Sequence, residues 1–142
     1  MYPRFFATAT ALGCVMFGPA IATQQPAPAG AGVYIISPED GATVQSPVTV
    51  VFGLKGMGIA PAGIHQDGTG HHHLLINIDP ATIPMAEPLA ATDNIVHFGG
   101  GQTETSIDLP AGEHTLYLLL GDGDHIPFDP PILSEPVQIT VQ

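Results

Sequence analysis

The residues of this sequence best suited to chemistry are its seven histidines: His65, His71, His72, His73, His97, His114 and His125. Imidazole is a common protein ligand for copper and zinc, and in its neutral form it offers an uncharged lone pair. If the triple His begins a strand, alternation places His71 and His73 on one face. His72 then falls in phase with Leu74, Ile76 and Ile78 on the other, as a core-facing residue. An i, i+2 pair on a strand stands about 6.5 to 7 Å apart at the Cα atoms, and its rings can lean onto one ion at about 2.0 to 2.1 Å from each nitrogen. His97 precedes Gly99–Gly101, where missing side chains permit close backbone approach. His125 sits in an acidic loop with Asp122, Asp124 and Asp129. The pattern nominates a copper or zinc site built from His71, His73, His97 and His125. His65 is a weaker contributor, and Met57 an axial-type ligand if the ion is copper. The same residues also admit a structural reading. Three consecutive His can be hydrogen-bonded residues at a strand's start, and His114, after a turn, then simply begins a hairpin.

Other chemistries find less support. Asp122 and Asp124 flank Gly123 and can serve as Ca²⁺ ligands or orient His125, but Asp and Gly are also ordinary turn residues, and the spacing is not an EF-hand loop. Glu104, between Thr103 and Thr105, reads as solvated. The Gly99–Gly101 run opens no helix, so it is not a phosphate cradle. The chain has no Gly-x-Ser-x-Gly elbow, and its single Cys, Cys14, lies in the first 22 residues.

Those 22 residues have the pattern of a signal peptide. Arg4 supplies the positive start and Phe5 to Phe17 a short apolar stretch. Ala20-Ile21-Ala22 places small residues where a signal peptidase reads, which predicts cleavage after Ala22 and a periplasmic or secreted location. A lipoprotein acylated at Cys14 is the alternative. Removal of the segment leaves Lys55 as the one base against 13 acids. The formal net charge of the whole chain is -11, which excludes nucleic acid and anionic membrane surfaces as partners, because both require a basic face.

The elements that must position the histidines are strands. Residues 23–32 are rich in Pro, Ala and Gly and read as a flexible lead-in. Residues 33–142 form a single domain. Within it, short apolar runs predict seven strands: Val33–Ile36, Val48–Leu54, His72–Ile78, Asn94–Phe98, Thr103–Leu109, His114–Leu120 and Pro136–Val141. Prolines between them leave no room for a long helix. The expected fold is all-β, an immunoglobulin-like β-sandwich of about seven strands, with a small β-barrel as the alternative. The two long loops, Lys55–Gly70 and Gly121–Ser134, are where a site is expected.

The segments SPEDGATVQSPVTVVFGLKGMGIAPAG, GHHHLLI, HFGGGQTETSIDLPAGEHTLYLLLGDGDHIP and DPPILSEPVQITV resemble the bacterial domain family DUF4399 over about residues 33–141. The resemblance implies an exported β-domain with no assigned activity. It also implies a second His shortly after the one in the GD-x-x-H loop, where Phe128 stands here.

Three functions compete on the sequence. One is a periplasmic binding module that holds copper or zinc. Another is a non-catalytic immunoglobulin-like module that contacts an envelope protein, its histidines structural. A third is a copper enzyme similar to a superoxide dismutase. The last lacks the expected disulfide and an arginine in the mature chain, and its acidic surface would slow an anionic substrate.

Overall fold

The computed structural model describes residues 23–142. The proposed signal segment and Cys14 lie outside them. The described residues are all-β, with a single 3-10 turn at Pro80–Thr82. Nine strands run in chain order: β1 (Gly32–Ser37), β2 (Ala42–Val44), β3 (Val48–Lys55), β4 (Gly58–Ile59), β5 (Thr69–Ile76), β6 (Ile95–His97), β7 (Glu104–Ile107), β8 (Gly112–Gly121) and β9 (Val137–Val141). Each of the seven runs read from the sequence overlaps a strand. The two additions, β2 and β4, span only three and two residues. Such lengths are too short to show a period of two.

The strands form two open sheets. One has the order β1-β3-β7, all antiparallel. The other has the order β2-β9-β8-β5-β4, with β6 on the same edge of β5 as β4. Neither sheet closes on itself, so the small-barrel alternative is set aside.

Alternation explains how the two sheets share a core. From the first sheet come Val33, Val48, Val50 and Phe52; from the second come Leu74, Ile76, Leu116, Leu118, Leu120, Val137, Ile139 and Val141. Fully burying one such side chain contributes about 1.5 to 3 kcal/mol. The odd-numbered residues of the central strands point the other way. Leu75 and Leu119 form a second apolar cluster with Ile83, Leu89 and Ile95. Strands β5 and β8 are thus covered on both faces, which is why HHHLLI is buried throughout. The second face is roofed by the connections 77–94 and 122–134, and the histidines lie at its open end.

The lead-in differs from its composition-based reading. Gln24 donates through Nε2 to the carbonyls of Met85 (2.8 Å) and Pro127 (3.1 Å). The Ala27 amide donates to Asp129 O and the Asp129 amide to Gln25 O, both at 2.9 Å. This segment is fixed through main-chain groups that every residue carries. Side-chain periodicity therefore leaves no trace of it.

Candidate metal centre

Three elements bring four imidazoles to one place. Strand β5 supplies His71 and His73 on the face that carries Leu75. Strand β6 pairs with β5 so that His97 lies directly opposite His73. In β6 the alternation puts Ile95 and His97 on this face, while Val96 and Phe98 join the inter-sheet core. On the other side of β5, His71 lies opposite Gly121 of β8. That glycine vacates the position a side chain would fill. A Cβ there would meet Cε1 of His73 at 2.8 Å and the carbonyl carbon of His125 at 3.3 Å.

The loop after Gly121 delivers the fourth ring. Asp122 is buried, and its Oδ1 accepts from the amides of Asp124 (2.9 Å) and Ile126 (3.0 Å). The Asp122 amide donates to Ile126 O (2.9 Å) and the His125 amide to Asp122 O (3.0 Å). This clamp holds His125 at φ +67°, in the left-handed region. Non-glycine residues seldom adopt it, and such strain often accompanies a functional position. The segment Ala62–Gly63 ties the two ligand-bearing loops together. The Ala62 amide donates to Gly99 O (2.9 Å) and the Gly63 amide to Gly123 O (2.8 Å).

In the resulting geometry, one ring nitrogen from each of His71, His97 and His125 lies within 4.8 Å of the other two. The His71 and His97 Nε2 atoms are 3.1 Å apart and share one proton, one ring donating and the other accepting. The ring of His125 stands 4.5 Å from that of His97 and 5.0 Å from that of His71, centre to centre. His73 lies just behind, its centre 4.9 Å from His71 and 5.1 Å from His97. Nitrogens bound to one ion at about 2.0 Å stand about 3.3 to 3.5 Å apart, so the three converging rings need to move by only about 1 Å to grip a metal.

The inner half of the site, His71 and His73, is buried. His71 and His73 have no exposed surface. Burial, then repulsion from His97, His125 and His72, lowers the pKa of His71 from 6.5 to about 4. Burial, then repulsion from His71, His97 and His125, lowers that of His73 to about 3, although the Leu119 carbonyl opposes the shift. Burial and then the neighbouring His125 lower that of His97. The lowered values of His71, His73 and His97 spare an entering metal the removal of a proton from an imidazolium. Nδ1 of His71 and both ring nitrogens of His73 are buried without a hydrogen-bond partner. A buried polar group left so costs about 1 to 3 kcal/mol.

The remaining histidines are placed elsewhere. His72 points into the inter-sheet core, as its phase predicts. It packs against Phe52 with the rings tilted and their centres 5.0 Å apart, and its Nδ1 lies 3.3 Å from Gln102 O. His114 is held between Asn77 (2.9 Å) and Pro110 O (2.8 Å), which suits the structural role expected of it. His65 is outside the cluster on the surface, 3.7 Å from Asp124. Met57 packs against the inter-sheet core and not with the clustered rings, so the axial-ligand expectation fails for it. Asp122 is the turn-former that its Gly-Asp context suggests. The residue missed from sequence is Gly121, while Gly99 lies in the run where close approach was expected. A Cβ at Gly99 would collide with the His97 ring. Phe128, standing where a second His was implied, is buried in the inter-sheet core. It is unavailable as a ligand.

No curated protein and no solved structure matches the chain. A family model described as Domain of unknown function (DUF4399) matches residues 50–142, including every clustered histidine. The chain therefore belongs to the DUF4399 family.

Proposed function

We propose that this protein is an exported, periplasmic domain that binds one copper or zinc ion through His71, His97 and His125, with His73 completing the chamber. Its role is storage, delivery or protection of the ion rather than catalysis. The carrying observation is the convergence of one ring nitrogen from each of His71, His97 and His125 within 4.8 Å of one another. The unpartnered ring nitrogens of His71 and His73 support the same reading, because a ligand would give buried polar atoms a partner. The export signal in residues 1–22 supports the periplasmic address. The core shared by the two sheets supports an immunoglobulin-like sandwich as the scaffold.

Native mass spectrometry of the apo protein titrated with Cu or Zn tests the reading. One ion per chain should bind at micromolar concentration or below, and the paired change His71→Ala with His97→Ala should abolish it. Absence of binding, or binding indifferent to that pair of changes, refutes it. A second reading, an interaction module for an envelope protein, draws on Tyr34 and Ile36. They are 46 % and 53 % exposed on the edge strand β1. Capture of an envelope protein that depends on these two residues, without metal binding, would favour it.

A further inference from the structure

We infer that the three-imidazole site selects Cu(I) over divalent zinc. This rests on the metal-binding reading above and names the cation that the site is built to take.

The argument is one of charge. The converging donors are three imidazoles, which bind a metal as uncharged ligands, and no carboxylate or thiolate joins them among the described residues. The loop acids are turned to other tasks. Oδ1 of Asp122 is committed to the amides of Asp124 and Ile126, and Asp124 faces the exposed His65. Nor does negative charge stand behind His71. Its Nδ1 meets no acceptor, so the carboxylate or carbonyl partner that raises ligand basicity in many zinc–histidine sites is missing from it. Along the same sheet face the histidines give way to an aliphatic cluster that includes Leu75, Leu119 and Ile95. An ion that enters this chamber leaves water without meeting a compensating anion. The cost of taking an ion from water into a low-dielectric medium grows with the square of its charge, so a divalent ion suffers about four times the penalty of a monovalent one.

Coordination number separates this set from a structural zinc site, but not from a catalytic one, where three protein donors leave the fourth position to water. A structural zinc site uses four protein donors in a tetrahedron. Here three nitrogens converge, while His73 stands 6.1 Å from His125, centre to centre, outside the converging set. A monovalent d¹⁰ ion is satisfied by two or three nitrogen donors and tolerates an unfilled position. Imidazole is a donor that copper accepts readily.

The test uses the full chain in its apo form, under anaerobic conditions. Cu(I) affinity is read by competition with the chelator bathocuproine disulfonate, and Zn(II) affinity by competition with a zinc-chelating dye. Cu(I) should be held at least about 100-fold more tightly than Zn(II). Zinc affinity equal to or above that for Cu(I), in a protein whose histidines do bind the ion, overturns the inference and leaves the metal reading standing. Failure of both ions to bind overturns both. Two variants isolate the charge. Asp and Asn both tolerate the left-handed backbone of residue 125. His125→Asp adds an anionic donor and should move the Cu(I)-to-Zn(II) ratio toward zinc by at least about 10-fold relative to His125→Asn, which removes the ring without adding charge. An unchanged ratio between the two variants overturns the inference.

Discussion

Acidification should unfold the metal-free protein through the same histidines that form the site. In the native state His71 titrates at about 4 and His73 at about 3. In the unfolded chain both titrate near the ordinary value of about 6.5. Between pH 6.5 and 5 the unfolded state therefore binds two protons that the native state refuses. Stability is fully present above the unfolded value and falls as the pH drops. Each group removes about 1.4 kcal/mol per pH unit across this interval. Two groups over 1.5 pH units remove about 4 kcal/mol, against a typical total of about 5 to 15 kcal/mol. The downward shifts of His72 and His97 act in the same direction. The interval ends above the ordinary carboxylate range, so the loss belongs to imidazoles. Urea unfolding followed by circular dichroism, with a chelator present, at pH 7 and pH 5 measures it. A loss below about 1 kcal/mol, or a gain, would refute the claim that the rings are buried and neutral.

Three substitutions separate positioning, strain and packing. Relaxing the left-handed residue by His125→Gly should leave urea stability unchanged or raise it by about 1 kcal/mol, while metal affinity falls at least tenfold; a large loss of stability would show that the ring is structural. Gly121→Ala sets a Cβ against His73 and His125. Metal titration should then show affinity reduced by about 10- to 100-fold, and an unaltered value would mean that the vacated position does not shape the site. His72→Leu changes a ring packed on Phe52 in the inter-sheet core, so the metal affinity should stay within about threefold of wild type; a larger drop would place His72 in the site.

Much of the scaffold was legible because buried strands advertise themselves. VTVVFGL, HHLLINI and HTLYLLL carry the apolar runs that burial requires, and each overlaps a strand of the structure. The parity of β5 alone separates His72 from His71 and His73. Other parts of the site depend on contacts across the chain. His71 meets His97 26 positions away through strand pairing, and nothing local to either residue states that register. The role of Gly121 was hidden because an absent side chain has no pattern. It is meaningful only once His73 and His125 are seen on either side. The lead-in was misread for a related reason, since Pro and Ala signal flexibility in isolation but Gln25 and Ala27 use their main-chain groups on Asp129. Met57 was nominated by chemistry alone, without a face to place it on, and packing assigns it to the opposite side of β5.

The most direct test of the central claim is X-ray absorption at the metal edge of the loaded protein. Three imidazoles are within reach of a single ion here, and no Cys, Asp or Glu joins them among the described residues. The spectrum should show three nitrogen donors at about 2.0 Å with the multiple scattering of imidazole rings, and no sulfur. A shell dominated by oxygen, or with one imidazole or none, would place the ion on surface carboxylates and contradict the account.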